Sequence, residues 1–228
     1  MNNELNSKLF NEFDELKPNI RDALLDVAYQ FIEDIKEDTE IDIPISDIIL
    51  VGSNASYNYT EYSDIDIHIV TDLSKISRCD PELAGKLMNS ERYIFNQNYD
   101  IEIQDIEAEV YVEDINSNTI SNGIYSILDN EWIKYPKIED TSIDYDIEEF
   151  PEYLNIVDDI NDLLSENNIT SEEIDATIDD IYLMRKYSLA KEGEYGTGNL
   201  IFKQIRNIGL LDKLKDKLYE LRSDELSY

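Results

Sequence analysis

The chain has one cysteine, Cys79, so it cannot close a disulfide within itself, which fits a reducing cytoplasm. No stretch approaches the ~18 apolar residues of a membrane-spanning helix. The opening residues, Met1 to Asn6, carry neither a basic region nor an apolar run, and so do not read as a secretory signal. Cations are scarce: 19 Lys and Arg stand against 52 Asp and Glu, a formal net charge of −33. That shortage argues against broad contact with a nucleic-acid backbone, which draws on Lys and Arg to release counterions. A basic, phosphate-bearing or metal-bridged partner stays open. There is no internal repeat, no low-complexity linker and no Lys-bearing phosphate loop of the Gly-x-x-x-x-Gly-Lys-Ser/Thr type. The expectation is a soluble cytoplasmic protein, long enough at 228 residues to bury a sizeable core.

What is present is periodic. Residues 4–36 read as helical with a break near Pro18, and Ile20, Leu24, Leu25, Val27, Ala28, Phe31 and Ile35 form one apolar stripe. Ile48 to Val51 reads as a buried strand ended by Gly52, and Asp64 to Val70 alternates at a period of two, a second strand. Pro81 to Asn98 reads as a helix with proline in its first turn. Residues 100–103 and 106–112 form a candidate hairpin, and 122–127 with 132–133 a small β pair turned at Asp129-Asn130. After Pro136 and a very acidic connection to Pro151, helices are expected at about 152–167, 171–192 and 197–222, the second with a capped start at Ser171-Glu172-Glu173. The fold class is therefore α/β (α+β): a mixed-sheet core with N-terminal helices over 1–140 and a helical carboxyl-terminal region over 141–228.

One segment concentrates the chemistry. Gly52-Ser53 follows a buried strand, ten residues intervene, and Asp64-Ile65-Asp66 opens the next strand. Two positions apart on a strand, Asp64 and Asp66 project from one face, while Ile65, Ile67 and Ile69 take the other. Neighbouring carboxylates repel, and a divalent cation between them is the simplest reason to keep them so; Mg²⁺ prefers such hard oxygen ligands. Gly52 would let the backbone approach a triphosphate, with the nearby amides and the Ser53 hydroxyl as donors.

The Gly-Ser, ten-residue gap, Asp-x-Asp pattern resembles the signature of the polymerase-β-type nucleotidyltransferase superfamily, in particular its minimal and aminoglycoside-type members. The carboxyl-terminal segment around Gly193-Glu194 and Asn199 to Lys203 is similar to phage-encoded members. The resemblance implies a third carboxylate on a nearby strand. Glu109 is favoured, because Val110-Tyr111-Val112 gives the apolar continuation usual in the family, and Glu107 is held in reserve. It further implies two Mg²⁺ ions, with Mn²⁺ as a substitute, held by Asp64, Asp66 and Glu109. The activity implied is transfer of a nucleoside monophosphate from ATP or another nucleoside triphosphate.

His68 shares the face of Asp66, but a lone strand histidine is more often structural. Tyr57, Tyr59 and Tyr62 lie where a base could stack, yet the chain has 16 tyrosines. Arg185, Lys186 and Lys191 on one helix, and Lys203 and Arg206 on the next, are candidates for binding the triphosphate, against simple pairing with nearby acids. Cys79 reads as an ordinary residue. The charge favours a small-molecule or protein acceptor, with an RNA end kept open. The rival from another class is an acidic, nucleic-acid-mimicking or antitoxin-like binding protein built on a transferase scaffold.

Overall fold

The computed structural model describes residues 2–76, 80–138, 147–166, 168–193 and 195–227. Cys79, Glu194 and much of the acidic connection before Pro151 lie outside them. The chain divides into two units, Met1–Glu139 and Asp140–Tyr228. Among the described residues no helix is long and apolar enough to cross a membrane.

The first unit is built on a five-stranded mixed sheet: β1 (Ile45–Val51), β2 (Ile65–Thr71), β3 (Ala108–Asp114), β4 (Ile124–Ser126) and β5 (Glu131–Lys134), in spatial order β3-β2-β1-β4-β5. Only β2 and β3 pair in parallel; the other neighbours are antiparallel. The parallel pair needs a crossover, which carries a short helix, α2 (Leu73–Ile76), not foreseen from the sequence, and α3 (Pro81–Asn98). Pro81 supplies a preset φ at the start of α3, and the Asp80 carboxylate caps it by accepting from the amides of Glu82 and Leu83.

Helix α1 (Pro18–Thr39) buries Ile20, Leu24, Ala28, Phe31 and Ile35, the stripe read from the sequence. Together with Met88 and Phe95 of α3, it covers the sheet face made by Ile48, Leu50, Ile65, Ile67, Ile69 and Val110. The strict alternation of β2 leaves Asp66, His68 and Val70 half-buried on the opposite face.

Residues 4–17 correct the expected helix. They form turns closed by an isolated bridge between Phe10 and Leu16, while Leu5, Leu9, Phe10 and Leu16 still enter the core. The cause is local. The Asn6 side chain accepts from the Lys8 amide, and that of Asn11 from the amides of Phe13 and Glu15, so side chains replace the helical ladder. The expected 100–112 hairpin is miniature. Ile103 and Ile106 exchange backbone bonds around Gln104 and Asp105, both at positive φ, and the chain then joins β2 in parallel.

The edge strand β3 is not bare. The Asn96 side chain of α3 donates to the Val110 carbonyl and accepts from the Val110 amide, each at 3.3 Å, as a neighbouring strand would.

The second unit packs α4 (Pro151–Ser165), α5 (Ser171–Glu192), α6 (Thr197–Asn207) and α7 (Leu210–Leu226) around Ile160, Ile174, Ile201, Phe202, Ile205 and Leu214. Thr170 starts α5 with a reciprocal capping box to Glu173. The single helix expected over 197–222 is two, because Gly209 adopts φ 73° and its amide returns to the Arg206 carbonyl.

Replacing Asn96 with alanine should lower the stability of the first unit by about 1–2 kcal/mol, since it strips both partners from one edge residue. Urea unfolding followed by the fluorescence of Trp132, the one tryptophan, reads it; an unchanged midpoint would show that the edge needs no such cover.

Candidate active site

Register decides which side chains meet. On the half-buried face, Asp66 of β2 lies between Val51 of β1 and Glu109 of β3, and His68 lies between Ile49 and Tyr111. Two carboxylates therefore occupy directly opposed positions on adjacent strands, an arrangement that repulsion disfavours. Asp64 sits one residue before β2, not within it as expected. Glu107 precedes β3 and is exposed, and its carbonyl accepts the Ile65 amide at 2.7 Å.

Gly52 is required twice over. Its φ of 72° and ψ of −157° belong to a region that only glycine enters readily. A Cβ there would also overlap an Asp66 carboxylate oxygen and stand 3.1 Å from its Cγ. The glycine thus opens space directly beside Asp66. The donor set is narrower than expected, because the Gly52 amide is already engaged with the Ser121 hydroxyl at 3.1 Å and Ser53 Oγ donates to Ser63 Oγ at 2.9 Å.

The sequence reading missed Asn54. Fully buried, it donates from Nδ2 to the carbonyls of Ser63 at 3.1 Å and Asp64 at 2.8 Å, and its Oδ1 accepts from Asn6 Nδ2 at 2.8 Å. Every hydrogen-bonding position that the amide needs filled is filled, so the Gly-Ser turn and the entry to β2 are tied together. Asn2 adds to this by donating to the carbonyls of Tyr57 and Tyr59, both at 2.8 Å. The only advance signal was a polar residue directly behind Gly-Ser, which does not by itself announce a buried clamp.

Of the three tyrosines, Tyr57 is buried with its hydroxyl on Tyr135, Tyr59 is half-buried, and Tyr62 is exposed. His68 Nδ1–H donates to Glu113 Oε2 at 2.7 Å, so its ring is held by a carboxylate on its own sheet face. Burial alone would push the Glu113 carboxyl up. The hydrogen bonds from His68, Ser117 and Thr119 and the His68 charge outweigh it and hold the group at about 2. Tyr111 is driven strongly the other way by burial, by its hydrogen bond to Glu109 and by the charges of Glu109 and Asp66, with Arg92 opposing; its phenol stays protonated.

Among the described residues, no three or more His, Cys, Asp or Glu side chains are drawn together as a finished metal cage. The Glu109 carboxylate accepts the Tyr111 hydroxyl. The donor chemistry does fit a hard divalent cation: carboxylates at opposed positions of adjacent strands, beside a glycine. In the second unit, Lys203 and Arg206 are half-buried on α6, Lys186 is exposed on α5, and the Arg185 guanidinium lies 4.4 Å from the Phe202 ring centre.

A family model described as nucleotidyltransferase domain matches residues 29–182. No curated protein is similar enough in sequence to match. Among solved structures, the chain is similar to a STING-associated CdnE c-di-GMP synthase from Capnocytophaga granulosa at 13% identity, covering 94% of this chain and 70% of that one with a TM-score of 0.22.

Because the folded Glu113 value lies below the ordinary carboxylate range, its network adds stability above about pH 4.5, and that contribution drains as pH falls toward 2. Glu113→Gln should therefore cost about 1–3 kcal/mol at pH 7 and progressively less below pH ~4.5. Urea midpoints across that range measure it; a pH-independent difference would exclude an ionic role.

Proposed function

The chain belongs to the nucleotidyltransferase domain family, and on that premise we propose that it transfers a nucleoside monophosphate from a nucleoside triphosphate to a hydroxyl on a small molecule or protein. The acceptor oxygen forms a bond to the α-phosphorus, the bond to the bridging oxygen breaks, and pyrophosphate leaves with its electron pair. The acceptor proton passes to solvent.

The observation that carries the reading is the space beside Asp66. A glycine, in a backbone region that other residues enter only with strain, lies against the Asp66 carboxylate, and Asp66 stands opposite Glu109 on the neighbouring strand. Packing fixes the register but gives no reason for carboxylates at both positions, since like charges at opposed strand positions are unfavourable.

We assign Asp64, Asp66 and Glu109 as the groups that would hold Mg²⁺ or Mn²⁺, with Glu107 in reserve. When bound, such ions neutralise triphosphate oxygens and make the attacking hydroxyl more acidic. The protein's own contribution is positional. Asn54 fixes the turn against the Asp64 carbonyl, strands β2 and β3 fix Asp66 opposite Glu109, and Gly52 leaves the approach open. The charge supports that acceptor class, with an RNA end kept open: a formal −33 leaves little to hold an extended nucleic-acid backbone.

Purified protein with Mg²⁺, each α-labelled nucleoside triphosphate and a cell extract as acceptor pool should label an acceptor, whose mass gain identifies the nucleotide. Asp64→Asn and Asp66→Asn should each lower labelling at least about a hundredfold without changing the far-ultraviolet circular dichroism; wild-type labelling in either would overturn the assignment. Lys203 and Arg206 of the second unit remain candidates from the sequence alone, and nucleotide affinity tests them: Lys203→Ala should bind the triphosphate about tenfold more weakly, and unchanged affinity withdraws it as a candidate.

A further inference from the structure

The site contains a polar assembly that neither the strand pattern nor the family motif accounts for: Tyr111 on β3 and Arg92 on α3. Tyr111 stands two residues after Glu109 on the same strand, hence on the same face, and its hydroxyl donates to Glu109 Oε2. The Arg92 guanidinium carbon lies 4.6 Å from the centre of the Tyr111 ring, and the His68 ring centre is 5.0 Å from it. Arg92 Nε is buried without a hydrogen-bond partner, so the side chain is held by stacking and packing rather than by an ion pair through that atom.

Consider Glu109 without these neighbours. It lies directly across from Asp66, and repulsion between the two carboxylates would swing its flexible side chain away from the partner strand. A protonated phenol has one hydrogen to give, and here it goes to one Glu109 oxygen, leaving the other oxygen free to bind a cation. The phenol is in turn pinned by a cation resting on its ring, an interaction worth about 0.5–2 kcal/mol. Arg92 is itself placed by the fold. It is one turn before Asn96 on α3, and at that spacing the two share a helix face. Asn96 is the residue that grips the Val110 backbone of β3, so the same docking of α3 brings Arg92 over Tyr111. Glu107 is exposed and lies outside β3.

We infer that Tyr111 and Arg92 are positioning residues that orient Glu109 for cation binding, and that this support is what selects Glu109 over Glu107 as the third carboxylate. The inference rests on the proposed metal-dependent transfer. Residues that hydrogen-bond a metal ligand from behind commonly change metal affinity by about 10–100-fold when removed. Arg92 thereby rests a cation on the ring whose hydroxyl holds Glu109, in a chain with only 19 lysines and arginines.

The experiment is Mn²⁺ binding to the full chain, followed by the electron paramagnetic resonance signal of free Mn²⁺ at 0.15 M KCl. So acidic a surface binds Mn²⁺ weakly throughout, so the site's signal is the tight component that Asp66→Asn removes. Absence of any such component would overturn the metal-dependent reading and this inference with it. Given the component, Tyr111→Phe should weaken it about 10–100-fold, Arg92→Gln by a smaller factor, and Glu107→Gln should leave it unchanged. The decisive comparison is the double variant. Added to Glu109→Gln, Tyr111→Phe should produce no further loss, because its effect passes through Glu109. Thermal melting of each variant runs alongside; Arg92→Lys, which keeps the charge but not the planar stack, repeats the comparison if Tyr111→Phe melts early. Wild-type Mn²⁺ affinity in a folded Tyr111→Phe, or additive losses in the double variant, would overturn the inference while leaving the transferase reading standing. A loss in Glu107→Gln equal to that in Glu109→Gln would overturn the selection.

Discussion

The structure turns on the unfavourable pairing of Asp66 with Glu109. In a parallel pair, directly opposed positions are fixed by register, and register here is set by burial: Ile65, Ile67 and Ile69 face α1 and α3, as do Ala108 and Val110. Slipping β3 by one residue would separate the carboxylates but turn its apolar side chains away from the core. The repulsion is therefore held in place by hydrophobic burial on the opposite side of the same two strands. Antiparallel pairing of β1 with β2 adds a further constraint, because Val51 opposite Asp66 brings Gly52 against the carboxylate at a positive φ that favours glycine.

The amino-terminal residues belong to the same construction. From residue 4 on they were expected to extend a helix, yet the asparagines of this segment work as connectors: Asn2 holds the carbonyls of Tyr57 and Tyr59, and Asn6 holds Asn54, which holds the Asp64 carbonyl. The loop between Gly52 and Asp64 is long and polar, with few apolar side chains of its own to bury. Its geometry comes from hydrogen bonds to a segment some fifty residues earlier, anchored in turn by Leu5, Leu9 and Phe10 in the core.

How much of this could be read in the sequence depends on distance along the chain. The strands, the apolar stripe of α1 and the limits of α3 follow from periodicity and from Pro18, Pro81 and their neighbours, all local signals. The Gly-Ser and Asp-x-Asp spacing was legible for the same reason. Residues 4–17 were not, because leucines at helical spacing looked the same whether the backbone closed its own bonds or gave them to Asn6 and Asn11. The break at Gly209 was local but weak, since one glycine in a long amphipathic run is often tolerated. Asn54, Arg92 and Tyr111 were beyond reach: each matters through a partner that only the three-dimensional pairing supplies.

Charge acts here on two length scales. At physiological ionic strength exposed charges more than ~8 Å apart are largely screened, so most of the acidic surface bears on solubility and on the choice of partners rather than on the carboxylate pair. What the structure sets around the pair is local: Glu109 stands opposite Asp66 and accepts the Tyr111 hydroxyl, and the Arg92 guanidinium lies on the Tyr111 ring. In a chain this poor in cations, chance would not often leave one at such a place. Arg92 is there because α3 is docked on the β3 edge by Asn96 and by Phe95 in the core, one turn from the arginine. The same helix that closes the sheet edge thus delivers the charge, so loosening that edge also loosens the support of the carboxylate pair.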